Sequence, residues 1–261
     1  MRLGGTAFFV SKPAEGIQDA NFFYLVTAAH VINGIRAANS DQAVYLRMNF
    51  RDAGAQFVET RIDDWVVHDE ADVAALGLGL PSDVVDYRVY PLDRAATDEV
   101  IARESIGVGE EVFVTGLFSN HYGRERNLPI VRIGNIALMP EEKVETRFGA
   151  IDAYLIESRS IGGLSGSPVF VHLGGARPVG GNTYIGASEF YLLGVMQGHW
   201  DLPAAKTDTI DDDLQRESVN MGIAIVVPAS KIVELIDYPA FVEKRNAAIK
   251  KHQEETLPTL D

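Results

Sequence analysis

Three segments of this chain carry the side chains that acyl-transfer chemistry needs, in the order histidine, aspartate, serine. His30 ends the segment TAAH, Asp72 begins the segment DVAAL, and Ser165 lies within GLSGSP at residues 163–168. A serine hydroxyl attacks an acyl group when an imidazole takes its proton and a carboxylate holds that imidazole in the right tautomer. Together the three segments predict a catalytic triad of His30, Asp72 and Ser165.

Glycines beside the serine predict where the negative charge of such a reaction would be held. Gly163 lies two positions before Ser165, and Gly166 follows it directly. Because glycine lets the backbone turn tightly, the amide N–H groups of Gly163 and Ser165 can face one point and stabilise a tetrahedral oxyanion. Ser167 has no glycine two residues before it, so it is the weaker candidate for the nucleophile.

Each segment also has an ordinary structural explanation. A Gly-Ser-rich turn can be a plain loop, and a histidine at a strand end can be a core residue with satisfied hydrogen bonds. Apolar residues follow Asp72, so its carboxylate is expected to be partly buried and to need partners such as an imidazole N–H. Asp69 and Glu70 lie in a polar turn and are weaker candidates, and His68 before them is expected at the surface. The agreement of three contexts with one chain order favours catalysis.

Other catalytic classes lack their motifs in this chain. The serine elbow of α/β-hydrolases reads Gly-x-Ser-x-Gly and precedes the aspartate and the histidine, whereas position 167 here is serine and the histidine comes first. The sequence has no His-Glu-x-x-His, no cysteine, no phosphate-binding P-loop and no dinucleotide glycine motif. It therefore predicts a site that uses neither a metal nor a cofactor.

The composition predicts a folded, acidic protein in a reducing compartment. Apolar residues make up 46% of the 261 residues, enough for one large or two small β domains, and there is no cysteine. The formal net charge of −14 argues against nucleic acid or an anionic membrane as the main partner, since phosphate binding needs a basic surface. The sequence shows no signal peptide and no apolar run of the roughly 18 residues that a membrane span needs. We therefore expect a cytoplasmic protein.

The elements that must position the three side chains are predicted to be short strands. Apolar runs, several of them alternating, occur before and after a charged connector at residues 92–109, with the spacing of small antiparallel barrels. A helix opened by Pro228 and Ser230 follows, and a charged helix is predicted at residues 239–252. The predicted strands span residues 4–10, 21–27, 44–50, 56–62, 71–78, 111–116, 129–138, 153–157, 167–172, 191–197 and 222–227.

Two insertions interrupt the strand pattern. Residues 174–188 are rich in glycine and predict the tip of a long hairpin. Residues 200–218 are rich in aspartate, but they lack the glycine and the alternating oxygen ligands of a calcium-binding loop. A solvated loop is therefore predicted for the second insertion.

The chain resembles trypsin-like serine peptidases of the chymotrypsin fold, and among them the bacterial intracellular and Deg-like branch without a PDZ domain. The resemblance extends from Gly4 to about Ile236. Besides the three segments above, it rests on residues 5–10 (GTAFFV), where relatives have the strand before the histidine loop. It also rests on residues 221–228 (MGIAIVVP), where relatives have the strand that leads into the closing helix. It implies an all-β fold of two antiparallel six-stranded β-barrels with C-terminal helices.

The resemblance also implies how the chain is divided and what it does. Residues 1–95 would form the N-terminal barrel with the histidine and the aspartate, residues 96–228 the C-terminal barrel with the serine, and residues 229–261 a helical tail. Peptide bonds would be hydrolysed in the cleft between the barrels, through an acyl-enzyme at Ser165. The implied partners are a protein or peptide substrate and, in a regulated enzyme, a regulatory protein.

The resemblance places Arg159 in substrate binding. This residue lies six positions before Ser165, where relatives have the base of the substrate pocket. If its side chain points inward, charge pairing favours an acidic substrate residue just before the cut. If it points to solvent or pairs with Glu157, it has no such role.

The segment at residues 193–199 is expected to pair with the substrate backbone, so that Gln197, Gly198 and His199 line the cleft. Gln197 stands where relatives often have a serine that supports the aspartate, and its amide could donate the same hydrogen bond. His199 either contacts substrate or packs beside Trp200.

The residue before Ser165 departs from the pattern of digestive relatives, and this bears on how the enzyme is activated. Digestive relatives have an acidic residue just before the serine that pairs with a newly cut N-terminus, whereas this chain has Leu164 there and no Ile-Val-Gly-Gly start. We therefore expect an activity that does not depend on insertion of an N-terminus.

The alternative function is a protein-binding module of the same fold that is non-catalytic or regulated by a partner.

Overall fold

The computed structural model describes residues 4–38, 42–146, 149–158, 163–179, 182–202 and 219–256. Within these ranges the chain consists mainly of short β-strands, and helices occur beside the sheets and at the C-terminal end. This balance agrees with a sequence rich in short apolar runs that are separated by turn residues.

The first part of the chain forms one mixed sheet and a separate hairpin. Five strands lie in the order β5-β6-β2-β1-β7, and all neighbours are antiparallel except β1 and β7, which are parallel. Within the described residues, β3 and β4 pair with each other, and an isolated bridge joins Phe50 of β3 to Val85. The elements are β1 (Phe8–Pro13), β2 (Asn21–Thr27), α1 (Ala29–Ala38), β3 (Ala43–Phe50), β4 (Gly54–Arg61), β5 (Val66–Val67), β6 (Ala74–Gly77) and β7 (Val89–Pro91).

The second part contains a closed barrel of six strands in the order β12-β17-β16-β13-β8-β9. Alternate residues of β8 are buried, as expected of a strand with one face toward the barrel interior. The elements are α2 (Asp98–Glu104), β8 (Glu111–Gly116), β9 (Ile130–Leu138), β10 (Val144–Thr146), β11 (Gly149–Ile151), β12 (Tyr154–Glu157), β13 (Pro168–Leu173), β14 (Ala176–Val179), β15 (Asn182–Ile185), β16 (Glu189–Leu202), β17 (Val219–Pro228), α3 (Ala229–Ile236) and α4 (Pro239–Thr256).

The described residues form three apolar clusters. One fills the first part and includes Ile62 and Trp65, and another fills the closed barrel and includes Ile156 and Leu193. The third lies between the two parts, where buried residues of β1 and β2 meet buried residues of β16, β17, α3 and α4. Burial of this shared cluster holds the two parts together, because apolar area removed from water is the main stabilising term.

The predicted fold class is confirmed: the protein is mostly β, with a closed six-stranded barrel and C-terminal helices. In the first part, five strands form one hydrogen-bonded sheet, and β3 and β4 form a separate hairpin. The division at residues 95 and 228 stays a prediction. No helix of the described residues combines the length and the apolar character that crossing a bilayer requires.

Two helices were not predicted. Helix α1 begins directly after β2, and α2 lies inside the segment at residues 92–109 that was expected to be a connector. The predicted hairpin at residues 174–188 is formed by β14 and β15. The predicted acidic loop at residues 200–218 lies mostly outside the described residues.

Replacing Phe241 should test how α4 is anchored. Its ring is buried in the shared cluster and contacts Tyr24 edge-on, with centroids 5.2 Å apart. Phe241→Ala should therefore lower the free energy of unfolding by about 3–5 kcal/mol, since it leaves a cavity in a packed core. The measurement is equilibrium denaturant unfolding.

The matched control for this prediction is Phe57→Ala on β4, whose ring is 54% exposed. Its effect should stay below about 1 kcal/mol, as is usual for surface positions. Equal effects of the two substitutions would contradict the docking of α4 on the core.

Candidate active site

Strand pairing brings His30 and Asp72 to the same place. Strands β2 and β6 are antiparallel neighbours, and Thr27 at the end of β2 pairs with Ala74 at the start of β6. His30 follows Thr27 by three residues, and Asp72 precedes Ala74 by two. An antiparallel pair places the end of one strand beside the start of the other, so His30 and Asp72 lie just beyond the same end of the β2–β6 pair.

Asp72 binds His30 at two points. Its Oδ2 lies 2.7 Å from the ring Nδ1, and its Oδ1 accepts a hydrogen bond of 2.7 Å from the His30 backbone N–H. The carboxylate is almost fully buried, with 6% of the side chain exposed. An ionised carboxylate accepts only, so Nδ1 carries the proton and Nε2 is the acceptor of the neutral ring.

Ser165 lies in a tight loop that packs against the end of β2. Gly163 and Gly166 have φ angles of +99° and +82°, which favour glycine. A Cβ added to Gly166 would collide with Thr27 Oγ1 and would lie 3.1 Å from the backbone nitrogen of Ala28. The Ser165 loop therefore touches the residues directly before His30.

The Ser165 hydroxyl is bonded to β16. Its Oγ donates a hydrogen bond of 3.1 Å to the backbone carbonyl of Gln197. Among the contacts of the described residues, none is a hydrogen bond between Ser165 and His30. The structure thus joins His30 to Asp72 by hydrogen bonds and places Ser165 in the adjacent loop. The Ser165 hydroxyl donates to the Gln197 carbonyl instead of to His30.

The amides predicted to bind an oxyanion are those of Gly163 and Ser165. Within the described ranges, neither N–H has a hydrogen-bond acceptor. The carbonyl of Leu164, in the same peptide unit as the Ser165 N–H, accepts a bond of 2.9 Å from Ser167 N. Because a peptide unit is planar, that bond also fixes the direction of the Ser165 N–H.

Gln197 occupies a bulge in β16. The pairing of β16 with β17 shifts between Met196 and Gly198, so Gln197 is the extra residue. Its side chain is buried, and Nε2 has no hydrogen-bond partner in the part of the chain that is described. The hydrogen bond to Asp72 that the resemblance implied is therefore not formed, although both residues line one cavity of about 620 Å³ with His30.

The structure describes two of the other residues predicted to bind substrate, Gly198 and His199, and leaves out the third, Arg159. Gly198 has open space where a Cβ would project, and His199 lies next to it on β16 and is partly exposed. Arg159 lies outside the described residues. A larger cavity of about 1400 Å³ runs past His30, Thr6 and Gly163 and gives the site room for an extended ligand.

His68 was expected at the surface, and this was wrong. Only 6% of the residue is exposed. Its Nδ1 accepts bonds of 3.1 Å from the backbone N–H groups of Glu70 and Ala71, and its Nε2 lies 3.2 Å from Glu234 Oε2 on α3. Like His30, it follows an apolar run in the sequence, and that shared context was the available signal. His68 ties the turn before Asp72 to the C-terminal helices.

Comparison with solved structures finds similar folds at low identity. The apo protease domain of MamO from Magnetospirillum magneticum is 14% identical, with 89% of this chain and 95% of that chain covered and a TM-score of 0.46. The active form of the Rv3671c protease from M. tuberculosis is 17% identical over 90% and 80% of the two chains, with a TM-score of 0.39. Human heparin binding protein is 13% identical over 90% of each chain, with a TM-score of 0.46.

No protein-family model and no curated protein matches this chain. Two of the three structures are named as proteases. At these identities and TM-scores the likeness carries no information about the reacting residues or the substrate of this chain.

The contact between His68 and Glu234 predicts how stability depends on pH. Burial raises the pKa of the Glu234 carboxyl, but the hydrogen bonds and the charge interactions with Lys231 and His68 together lower it by more, so that it lies below its ordinary value. A lowered pKa in the folded state adds stability at neutral pH that is lost as the pH falls through that pKa. The difference in melting temperature between wild type and Glu234→Gln should therefore be largest near neutral pH and shrink on acidification.

Thermal melts across the acidic range measure this difference. Glu243→Gln, at an exposed position of α4, is the control and should show no such trend. A gap between wild type and Glu234→Gln that stays constant with pH would contradict the role assigned to Glu234.

Proposed function

We propose that this chain is a serine endopeptidase with Ser165 as nucleophile and His30 as general base, oriented by Asp72. The observation that carries the proposal is the two-point contact of the buried Asp72 carboxylate with His30, beside the loop of Ser165. A carboxylate on Nδ1 selects the tautomer in which Nε2 can accept a proton from serine. The protease fold class supports a hydrolase.

In the proposed reaction, Ser165 Oγ attacks the carbonyl carbon of the scissile peptide bond, and its proton passes to His30 Nε2. The amides of Gly163 and Ser165 bind the resulting oxyanion. His30 then gives the proton to the leaving amine, the C–N bond breaks, and an ester remains on Ser165. Water loses a proton to His30, attacks the ester and releases the acid product, and Ser165 regains its hydrogen.

The reaction requires the Ser165 hydroxyl to leave the Gln197 carbonyl and turn toward His30 Nε2. Catalytic hydrogen bonds in free enzymes are often long or misaligned, and they tighten when substrate is bound. Gly194 and Val195 of β16 already pair with β13 and with β17, so among the described residues the substrate backbone would pair with residues 197–199. Pairing there would supply that change, since this segment carries both Gln197 and Gly198. We propose a protein or peptide as the substrate, with a regulatory protein as a further partner.

The second candidate function is a non-catalytic protein-binding module. The observation that favours it is the hydrogen bond from Ser165 Oγ to the Gln197 carbonyl, which gives the hydroxyl an acceptor other than the imidazole. For either function we propose a cytoplasmic location, because the chain has no cysteine that an oxidising compartment would pair.

Labelling with a fluorophosphonate probe distinguishes the two functions. The enzyme should be labelled at Ser165, and Ser165→Ala should abolish labelling and lower peptide turnover by ~10⁶. Ser167→Ala, two residues away, removes a buried hydroxyl that the mechanism does not use and should leave labelling intact. Well-folded wild type that is not labelled would favour the binding module.

Asp72→Asn tests whether the Asp72 carboxylate sets the tautomer of His30 that the mechanism needs. Its carbonyl can still accept from the His30 backbone N–H, but its NH₂ faces Nδ1 and forces the proton onto Nε2. The imidazole then cannot accept the serine proton, so kcat should fall by ~10⁴ while the melting temperature changes little. Asp69→Asn, at an exposed position three residues earlier, is the control and should retain activity. Equal activity of the two variants would remove Asp72 from the mechanism.

A further inference from the structure

Thr6, two residues before β1, is bonded to the serine loop through both its side chain and its backbone. Its hydroxyl donates to the carbonyl of Gly163 at 2.9 Å, and its backbone N–H donates to the carbonyl of Ser165 at 2.8 Å. The hydroxyl also accepts the N–H of Leu117, directly after β8, at 3.0 Å. Thr6 itself is buried, with 8% exposed.

These bonds orient the peptide units around the proposed oxyanion site. The unit between Gly163 and Leu164 lies between the two donor amides, and its carbonyl is held by the Thr6 hydroxyl. The unit that follows Ser165 is held by the Thr6 N–H. The intervening carbonyl of Leu164 is held by Ser167. Of three successive carbonyls, Thr6 therefore binds the first and the third, and rotation of either unit would turn the neighbouring donor amides.

The Thr6 hydroxyl has a fixed direction because it both donates and accepts. A variant without it would leave the Gly163 carbonyl and the Leu117 N–H without their present partner in a half-buried place, which is unfavourable for both groups. The loop can lower that cost by turning the peptide unit that carries the Gly163 carbonyl. Such a turn moves the Gly163 and Ser165 amides away from a common point.

We propose that Thr6 is a positioning residue that holds the serine loop in its oxyanion-binding arrangement through its hydroxyl. The loop is then preorganised by a residue of the first part of the chain, without insertion of a newly cut N-terminus. This inference rests on the proposed function, because it assigns Thr6 a role in the reaction at Ser165. It predicts an effect on the rate of the chemical step rather than on the affinity for the ligand.

The test compares Thr6→Val, which keeps the shape and loses the hydroxyl, with Thr6→Ser, which keeps the hydroxyl. The measurement is the saturation kinetics of Ser165 labelling by a fluorophosphonate, whose phosphoryl oxygen also gains negative charge. Loss of one direct oxyanion donor costs ~10²–10³ in rate, so an indirect effect of ~10–100-fold on the maximal labelling rate is expected for Thr6→Val. The half-saturating probe concentration should change little, and Thr6→Ser should label within about threefold of wild type.

Thr60→Val is the matched control. The Thr60 hydroxyl likewise donates to a backbone carbonyl, that of Val44 at 3.0 Å, and accepts an N–H, that of Trp65 at 3.1 Å. It lies on β4, away from the serine loop, so its loss should lower stability without changing the labelling rate. If Thr6→Val does not fold, as judged by circular dichroism, Thr6→Ala takes its place in the same comparison.

The outcomes separate this inference from the proposed function. If wild type is labelled at Ser165 and Thr6→Val is labelled as fast as Thr60→Val, Thr6 only stabilises the fold and the inference is wrong, while the proposed function stands. If folded wild type is not labelled at Ser165, the proposed function fails and the inference fails with it. A slow Thr6→Val together with a fast Thr6→Ser and Thr60→Val would support both.

Discussion

The buried carboxylate of Asp72 is the interaction on which the site depends. A carboxylate removed from water is costly unless hydrogen bonds satisfy its oxygens, and here one oxygen binds the ring of His30 and the other its backbone N–H. The second bond lies at the start of α1, where the helix dipole favours negative charge. One side chain therefore caps a helix and sets the tautomer of the histidine on it. The structural role of Asp72 and the catalytic role proposed for it therefore use the same two hydrogen bonds.

The two parts of the chain meet where the chemistry is proposed. The serine loop belongs to the second part, yet Thr6 and Thr27 of the first part contact it closely enough that a Cβ at Gly166 would collide with both. The shared apolar cluster, which includes residues of β1, β2, β16 and β17, packs the two parts against each other. The position of Ser165 relative to His30 is thus a property of the junction between the parts rather than of either part alone.

The bulge at Gln197 explains why the site is compatible with two functions. An extra residue in β16 directs the Gln197 carbonyl to Ser165 and buries its amide nitrogen without a partner in the described part of the chain. Ligand pairing along this strand would change the surroundings of both groups. Chemistry and binding therefore share one strand, and the direction of a single hydroxyl separates them.

The sequence alone was sufficient to predict the β class, most strands, α3 and α4, and the candidate residues His30, Asp72 and Ser165, because apolar periodicity and small-residue turns are local signals. It did not predict α1 and α2, the burial of His68 or the role inferred for Thr6. Apart from α2, these depend on partners far along the chain: Asp72 at the start of α1, Glu234 for His68, and Gly163 for Thr6. Residue types and their spacing in the sequence determined which side chains are candidates for the proposed reaction. Only the tertiary structure decided what each group is bonded to, because hydrogen bonds between distant residues exist only after the strands have paired.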